Sequence, residues 1–244
     1  MGPDVIAFVF RLAWTAALLV SLACGVRAEP LIFYASQSGA QTLDAGEGGG
    51  NPFASAFIET LQMPHVELAE LPNTLARLTF QKSAAFQIVE GPKGKGNGKW
   101  QLVPRAADEQ RIALVMVVSD YTRAQGAQSL PGAERDARRV AEALHAAGFS
   151  TEITLDATLP EMQRKLAEFG RRSEAADAAV IYTTGHGVEV DGMVYLLPGD
   201  FPASDGNSAL TTRALRISEI AASVRARKAS LILYGGCRDN PFKN

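Results

Sequence analysis

Residues 112–118 read Ile112-Ala113-Leu114-Val115-Met116-Val117-Val118, an unbroken apolar run of strand length, rich in β-branched side chains. A strand with one wet face alternates apolar and polar residues; a strand buried on both faces, as in a parallel sheet, does not. Downstream of this run, helix and strand signals take turns. Pro131-Gly132 leads into Ala133–Ala147, where Ala137, Val140, Ala141 and Leu144 fall at helical spacing before Gly148. Thr151–Leu155 alternates as a short strand, and Leu159–Phe169 is an amphipathic helix with Pro160 in its first turn. Ala178–Tyr182 is a third strand, Ile217–Val224 a third helix and Leu231–Tyr234 a fourth strand. This order predicts an α/β fold, a mostly parallel sheet with helices on both faces.

Upstream, the same architecture is present but incomplete. Leu31-Ile32-Phe33-Tyr34 reads as a strand running into the turn-rich stretch Ser36–Gly50, and Pro52–Leu61 as a helix capped by Asn51. A weaker helix is expected over 66–78, interrupted at Pro72, and a hairpin of Phe86–Val89 with Trp100–Val103 around the glycine-rich loop 91–98. That loop lacks the following helix and the Lys-Ser/Thr ending of a phosphate cradle. The link Arg105–Gln110 is so short that residues 29–104 and 111–244 are expected to be halves of one domain sharing one sheet.

The chain has 244 residues, 47% of them hydrophobic, and a net charge of −2, which suits one domain and offers no clustered basic face for nucleic acid. At the start, Arg11 precedes an apolar run from Leu12 that closes on Val26-Arg27-Ala28. The pattern predicts a signal peptide over residues 1–28, cut after Ala28, and a secreted or periplasmic protein. Left uncut, the segment would be a membrane anchor, the one membrane association expected. Cleavage would remove Cys24 and leave Cys237 as a single thiol with no disulfide partner.

Two loops carry chemistry, each just past a predicted strand, where ligands of open parallel sheets bind. One is Tyr182-Thr183-Thr184-Gly185-His186-Gly187, a histidine with bare backbone on either side. The other is Tyr234-Gly235-Gly236-Cys237-Arg238-Asp239-Asn240-Pro241-Phe242. Arg238 would favour the thiolate if its side chain lies close. A cysteine nucleophile needs a base, and histidine suits neutral pH. His145 is explained as a cation near a helix C-terminus, and His65 stands beside Pro64 without a motif, which leaves His186. The residues alone still allow a loop histidine with an inert buried thiol, or a receiver-like domain built on Asp120.

Together the two loops resemble the histidine and cysteine motifs of bacterial caspase-like and metacaspase-like peptidases of family C14. Tyr195-Leu196-Leu197-Pro198, Tyr121 and Asp136-Ala137 match further parts of the pattern, and the histidine stands about 50 residues ahead of the cysteine, as in caspases. The resemblance implies a three-layer caspase-like fold and a cysteine endopeptidase acting on protein or peptide substrates. Cys237 would attack the carbonyl, His186 would handle the protons, and the backbone amides of Gly187 and Cys237 would hold the oxyanion. Relatives usually carry an Asp two residues before the cysteine, in the pocket for a basic side chain; here that position is Gly235, and Asp136 is the acid that remains. With Asp44 and Glu47, Asp136 is expected to bias the first pocket towards basic or uncharged residues. No cofactor or metal is implied, and no residue indicates the calcium activation of some relatives.

The front segment resembles the family's small-subunit half, which normally follows the cysteine loop. The chain therefore looks circularly permuted, with Leu31–Tyr34 expected parallel and adjacent to Leu231–Tyr234. In that arrangement the link 105–110 must cross about four strand spacings, roughly 19 Å. The alternative implied by Gly235 and the permutation is a catalytically inactive caspase-fold binding or scaffold module.

Overall fold

The computed structural model describes residues 27–242 except 47, 48, 93, 95, 97, 125 and 126. The apolar segment before Arg27 and the acid Glu47 therefore lie outside the described residues. Among the described residues no helix is long and apolar enough to cross a membrane.

The centre is a five-stranded sheet of β1 (Pro30–Tyr34), β4 (Arg111–Val117), β5 (Ser150–Leu155), β6 (Ala178–Thr184) and β10 (Ala229–Tyr234). Their order is β1-β10-β6-β4-β5, and every neighbouring pair is parallel. The apolar runs are continuous because both faces are covered. Ala113, Val115, Val117, Val180, Tyr182, Leu231 and Leu233 point into one core, while Leu114, Met116, Ile181 and Ile232 point into the other. The first core is closed by α1 (Pro52–Gln62), α2 (Leu71–Lys82) and α3 (Pro131–Ala146), through Phe53, Phe57, Leu75, Val140 and Leu144. The second is closed by α4 (Leu159–Ser173) and α5 (Ile217–Ser223), through Met162, Leu166, Phe169, Ile217 and Ile220. Three layers result, as the sequence predicts.

β1 lies on β10 in matched register, Leu31 beside Leu231 and Tyr34 beside Tyr234. The expected adjacency of these two strands is what the structure has. Asn51 caps α1, its side-chain oxygen accepting the Phe53 N–H at 2.8 Å.

Three expectations for the front half need correction. Residues 66–67 are a strand, β2 (Val66–Glu67), and α2 begins only at Leu71, so Pro72 sits in a first turn, where its missing N–H costs nothing. The expected hairpin does not form either. Phe86 and Ile88 are 53% and 46% exposed while Gln87 between them is fully buried, the reverse of the pattern that would give 86–89 a core-facing side. From this segment Glu90 alone bridges Tyr34, and β3 (Gln101–Val103) pairs with β2 instead. Because β3 belongs to that separate ribbon, the link to β4 does not cross the main sheet and the span expected of it does not apply. The link's end is fixed by Glu109, which accepts from Trp100 Nε1 at 3.0 Å and pairs with Arg111 at 2.6 Å.

A second small sheet, β7 (Gly187–Val190), β8 (Met193–Leu196) and β9 (Leu215–Arg216), is antiparallel and sits past the end of β6. The turn between β7 and β8 is Asp191-Gly192, both with positive φ (50° and 76°), the requirement of a tight two-residue hairpin.

Candidate active site

β6 and β10 are neighbours, with Thr183 beside Tyr234, so the loops leaving their carboxyl ends emerge side by side. His186 follows β6 after Gly185, whose φ of 154° is reached readily only without a side chain. Cys237 follows β10 after Gly235 and Gly236. Both His186 and Cys237 line one cavity of about 530 Å³, together with Thr42, Asp44, Asn51, Asp136 and Phe242. The structure thus brings the two predicted side chains to the same cleft. His65 and His145 are not among its lining residues.

His186 is held from three sides. Its backbone N–H donates to the Tyr121 hydroxyl at 2.7 Å, and that hydroxyl donates to the Leu197 carbonyl at 2.9 Å. The Tyr121 and His186 rings meet edge to face at 4.4 Å. Nε2 lies 2.7 Å from the Gln128 carbonyl oxygen. Burial pushes the Tyr121 phenol well above its ordinary range, so it stays protonated as a donor.

The Cys237 thiol is half-buried and free. The Thr42 N–H donates to Sγ at 3.3 Å, and the Thr42 hydroxyl lies 3.4 Å from the same sulfur. Thr42 belongs to the front half, on the loop after β1, and no motif singles it out in the sequence. The side chain of Arg238 is committed elsewhere than to the sulfur, so the condition under which it would favour the thiolate is not met by its contacts. Its guanidinium turns inward, to Glu189 at 2.8 Å, Glu90 at 2.6 Å and the Ser36 carbonyl at 3.0 Å, with the Tyr34 ring 4.3 Å away. Two carboxylates and an aromatic face outcompete a neutral thiol for a buried cation.

Gly187 has no room for a side chain, because a Cβ would overlap the Tyr234 hydroxyl and the Cys237 carbonyl oxygen. These contacts pack the histidine loop directly on the cysteine loop, within which Tyr234 donates to that same carbonyl at 3.2 Å.

Asp136, on α3, reaches the cavity although it is fully buried. Its carboxylate accepts the Asn51 N–H at 2.7 Å and a bond from Arg139 at 3.1 Å. Burial raises its pKa to about 6 against the opposing effects of Asn51 and Arg139. Asp44 also lines the cavity, but its carboxylate accepts the Gly132 and Ala133 N–H groups, both at 3.0 Å, at the start of α3. Gly235 is not part of the cavity wall; its carbonyl accepts from Asn51 at 2.8 Å, and a Cβ there would meet Thr184 and the Tyr182 hydroxyl at 3.0–3.1 Å. The Tyr182 hydroxyl is buried with no hydrogen-bond partner among the described residues. Among the described residues no cluster of three His, Cys, Asp or Glu side chains could hold a metal ion.

A three-layer α/β fold with a histidine and a cysteine on loops past adjacent parallel strands defines a caspase-like domain. The family model for the caspase domain, peptidase C14, matches residues 110–244, and the chain belongs to that family. No curated protein matches the chain.

Proposed function

We propose that the chain is an exported cysteine endopeptidase in which Cys237 is the nucleophile and His186 the general base and acid. The observation that carries this is the shared cavity of His186 and Cys237, with the histidine ring already anchored at Nε2. A carbonyl oxygen accepts only, so Nε2 carries the ring proton and Nδ1 keeps a lone pair. Nδ1 takes the proton from Sγ, and the thiolate attacks the peptide carbonyl carbon. The carbonyl oxygen becomes an oxyanion held by the amides of Gly187 and Cys237, each such donor being worth about 10²–10³ in rate. His186 then delivers its proton to the leaving amine, and water, deprotonated by His186, hydrolyses the thioester.

Asp136 at the buried end of the cavity supports a first pocket that takes a basic side chain. The parallel pairing of β1 with β10 supports a permuted order, with residues 29–104 as the small-subunit-like half and 111–244 as the half carrying the motifs. Residues 1–28 act as the signal peptide, delivering the domain to the periplasm or exterior.

Residues 29–244, assayed on a peptide library, should cleave after Lys or Arg as an intact single chain, and Cys237→Ala and His186→Ala should each abolish cleavage with the fold preserved. Peptide binding without any cleavage by the wild type would mean an inactive caspase-fold binding module instead.

A further inference from the structure

Within the proposed peptidase, on which this inference rests, we infer that Thr42 is a further catalytic residue: its N–H and hydroxyl hold the Cys237 sulfur as the thiolate.

The need arises from the groups that share the cavity with the thiol. Among the described residues lining the cavity, His186 is the one group that can become a cation, whereas Asp44, Asp136 and Asp239 are acids. Tyr121 and Tyr234 stay neutral, because burial raises both phenols. Arg238, the adjacent cation, is committed to Glu189 and Glu90. Once His186 takes the proton, the charge left on the sulfur has to be met by donors that touch it directly.

Thr42 supplies two. A backbone N–H can only donate, so the 3.3 Å contact to Sγ has a fixed direction. The hydroxyl at 3.4 Å can donate or accept while the thiol is protonated, but an ionised sulfur has no proton, so the hydroxyl must then donate. The thiol's own long contact to the Thr42 carbonyl, 3.9 Å, is the one that ionisation gives up.

These donors are held in place before any substrate arrives. On one side of Thr42, Gln41 donates to Asp239 at 2.8 Å, and the Ala40 carbonyl accepts the Arg238 N–H at 2.9 Å. On the other side the Leu43 N–H donates to the buried Gln87 side chain at 3.1 Å. Gln87 in turn bonds the Ala35 carbonyl and Asn51, so the loop is pinned at both ends. Donors fixed in advance cost no reorganisation when charge develops.

The test is the pH dependence of Cys237 alkylation by iodoacetamide in residues 29–244, a readout that needs no peptide substrate. Thr42→Val keeps the shape and the N–H but loses the hydroxyl; Thr42→Ser keeps both donors. The apparent thiol pKa should rise by about one unit in Thr42→Val, with a roughly tenfold slower reaction below that pKa, and should return close to wild type in Thr42→Ser. Thr42→Ala serves as a second hydroxyl-free variant should the valine not fold. A wild-type profile in the hydroxyl-free variants, or an equal shift in Thr42→Ser, overturns the inference. His186→Ala in the same assay separates the two claims: no effect of that variant beside a shifted Thr42→Val would count against the Cys–His pair while leaving Thr42 in its role.

Discussion

The carbonyl oxygen of Gln128 stands 2.7 Å from Nε2 of His186, so a main-chain acceptor occupies the place that a carboxylate takes in an acid-base triad. It fixes the tautomer without adding a negative charge. The loop that supplies it follows β4 and also carries Tyr121, which packs against the His186 ring and ties the His186 N–H to the Leu197 carbonyl.

Tyr121→Phe should therefore cost both stability and rate. It would leave a part-buried N–H and a buried carbonyl without their shared partner, a penalty of about 1–3 kcal/mol. Denaturant unfolding should show that loss, and kcat should fall more than KM rises. Full stability in the phenylalanine variant would contradict the role given to the hydroxyl.

The preference for a basic residue should depend on pH through Asp136. Its pKa is raised to about 6, so the carboxyl is neutral below that pH and negative above it. The ratio of kcat/KM for a lysine substrate to that for an isosteric neutral one should climb as pH rises through about 6. Using the ratio cancels the titration of Cys237 and His186, which both substrates share. In Asp136→Asn the ratio should be low and flat. A flat ratio in the wild type, or efficient cleavage after Asp with none after Lys or Arg, would remove Asp136 from the pocket.

Arg238→Met should be strongly destabilising. Arg238 and Glu189 keep only 6% and 8% of their side-chain surface exposed, and removing the cation leaves Glu189 charged and buried. Breaking such a pair typically costs about 3–5 kcal/mol. Chemical denaturation of the variant measures it; a loss below about 1 kcal/mol would mean that water reaches Glu189 readily.

Gly187→Ala should lose activity and stability together. Its Cβ would overlap the Tyr234 hydroxyl and the Cys237 carbonyl oxygen. Adding Tyr234→Phe relieves only the first overlap, so the double variant should remain inactive in a peptidase assay. Recovered activity would show that the two loops can separate.

Much of this was legible in the residues. β4, β6 and β10 declare themselves because burial on both faces makes apolar runs such as 112–118 and 231–234, whereas β5, less buried, shows as an alternating stretch. The chemistry-bearing loops stood out because His186 and Cys237 follow those runs among glycines. Contacts made by backbone atoms were not legible, since the Gln128 carbonyl and the Thr42 N–H carry no side-chain signature. Where Arg238 turns was not legible either, because adjacency in sequence to Cys237 says nothing of where a long side chain goes, and Glu189 and Glu90 are distant in the chain. The hairpin of β7 and β8 could have been found from Asp191-Gly192. Residues 86–89 could not have been read correctly from pattern alone, because there the polar Gln87 is inside and its apolar neighbours are out.

The decisive measurement is covalent capture by a peptidyl chloromethyl ketone with lysine next to the reactive carbon, read by intact mass on residues 29–244. The proposed mechanism predicts one adduct per chain, located at Cys237, absent in Cys237→Ala and slowed at least tenfold in His186→Ala. A thiol that reacts with iodoacetamide but takes no peptidyl label, or a labelling rate unmoved by His186→Ala, would contradict it.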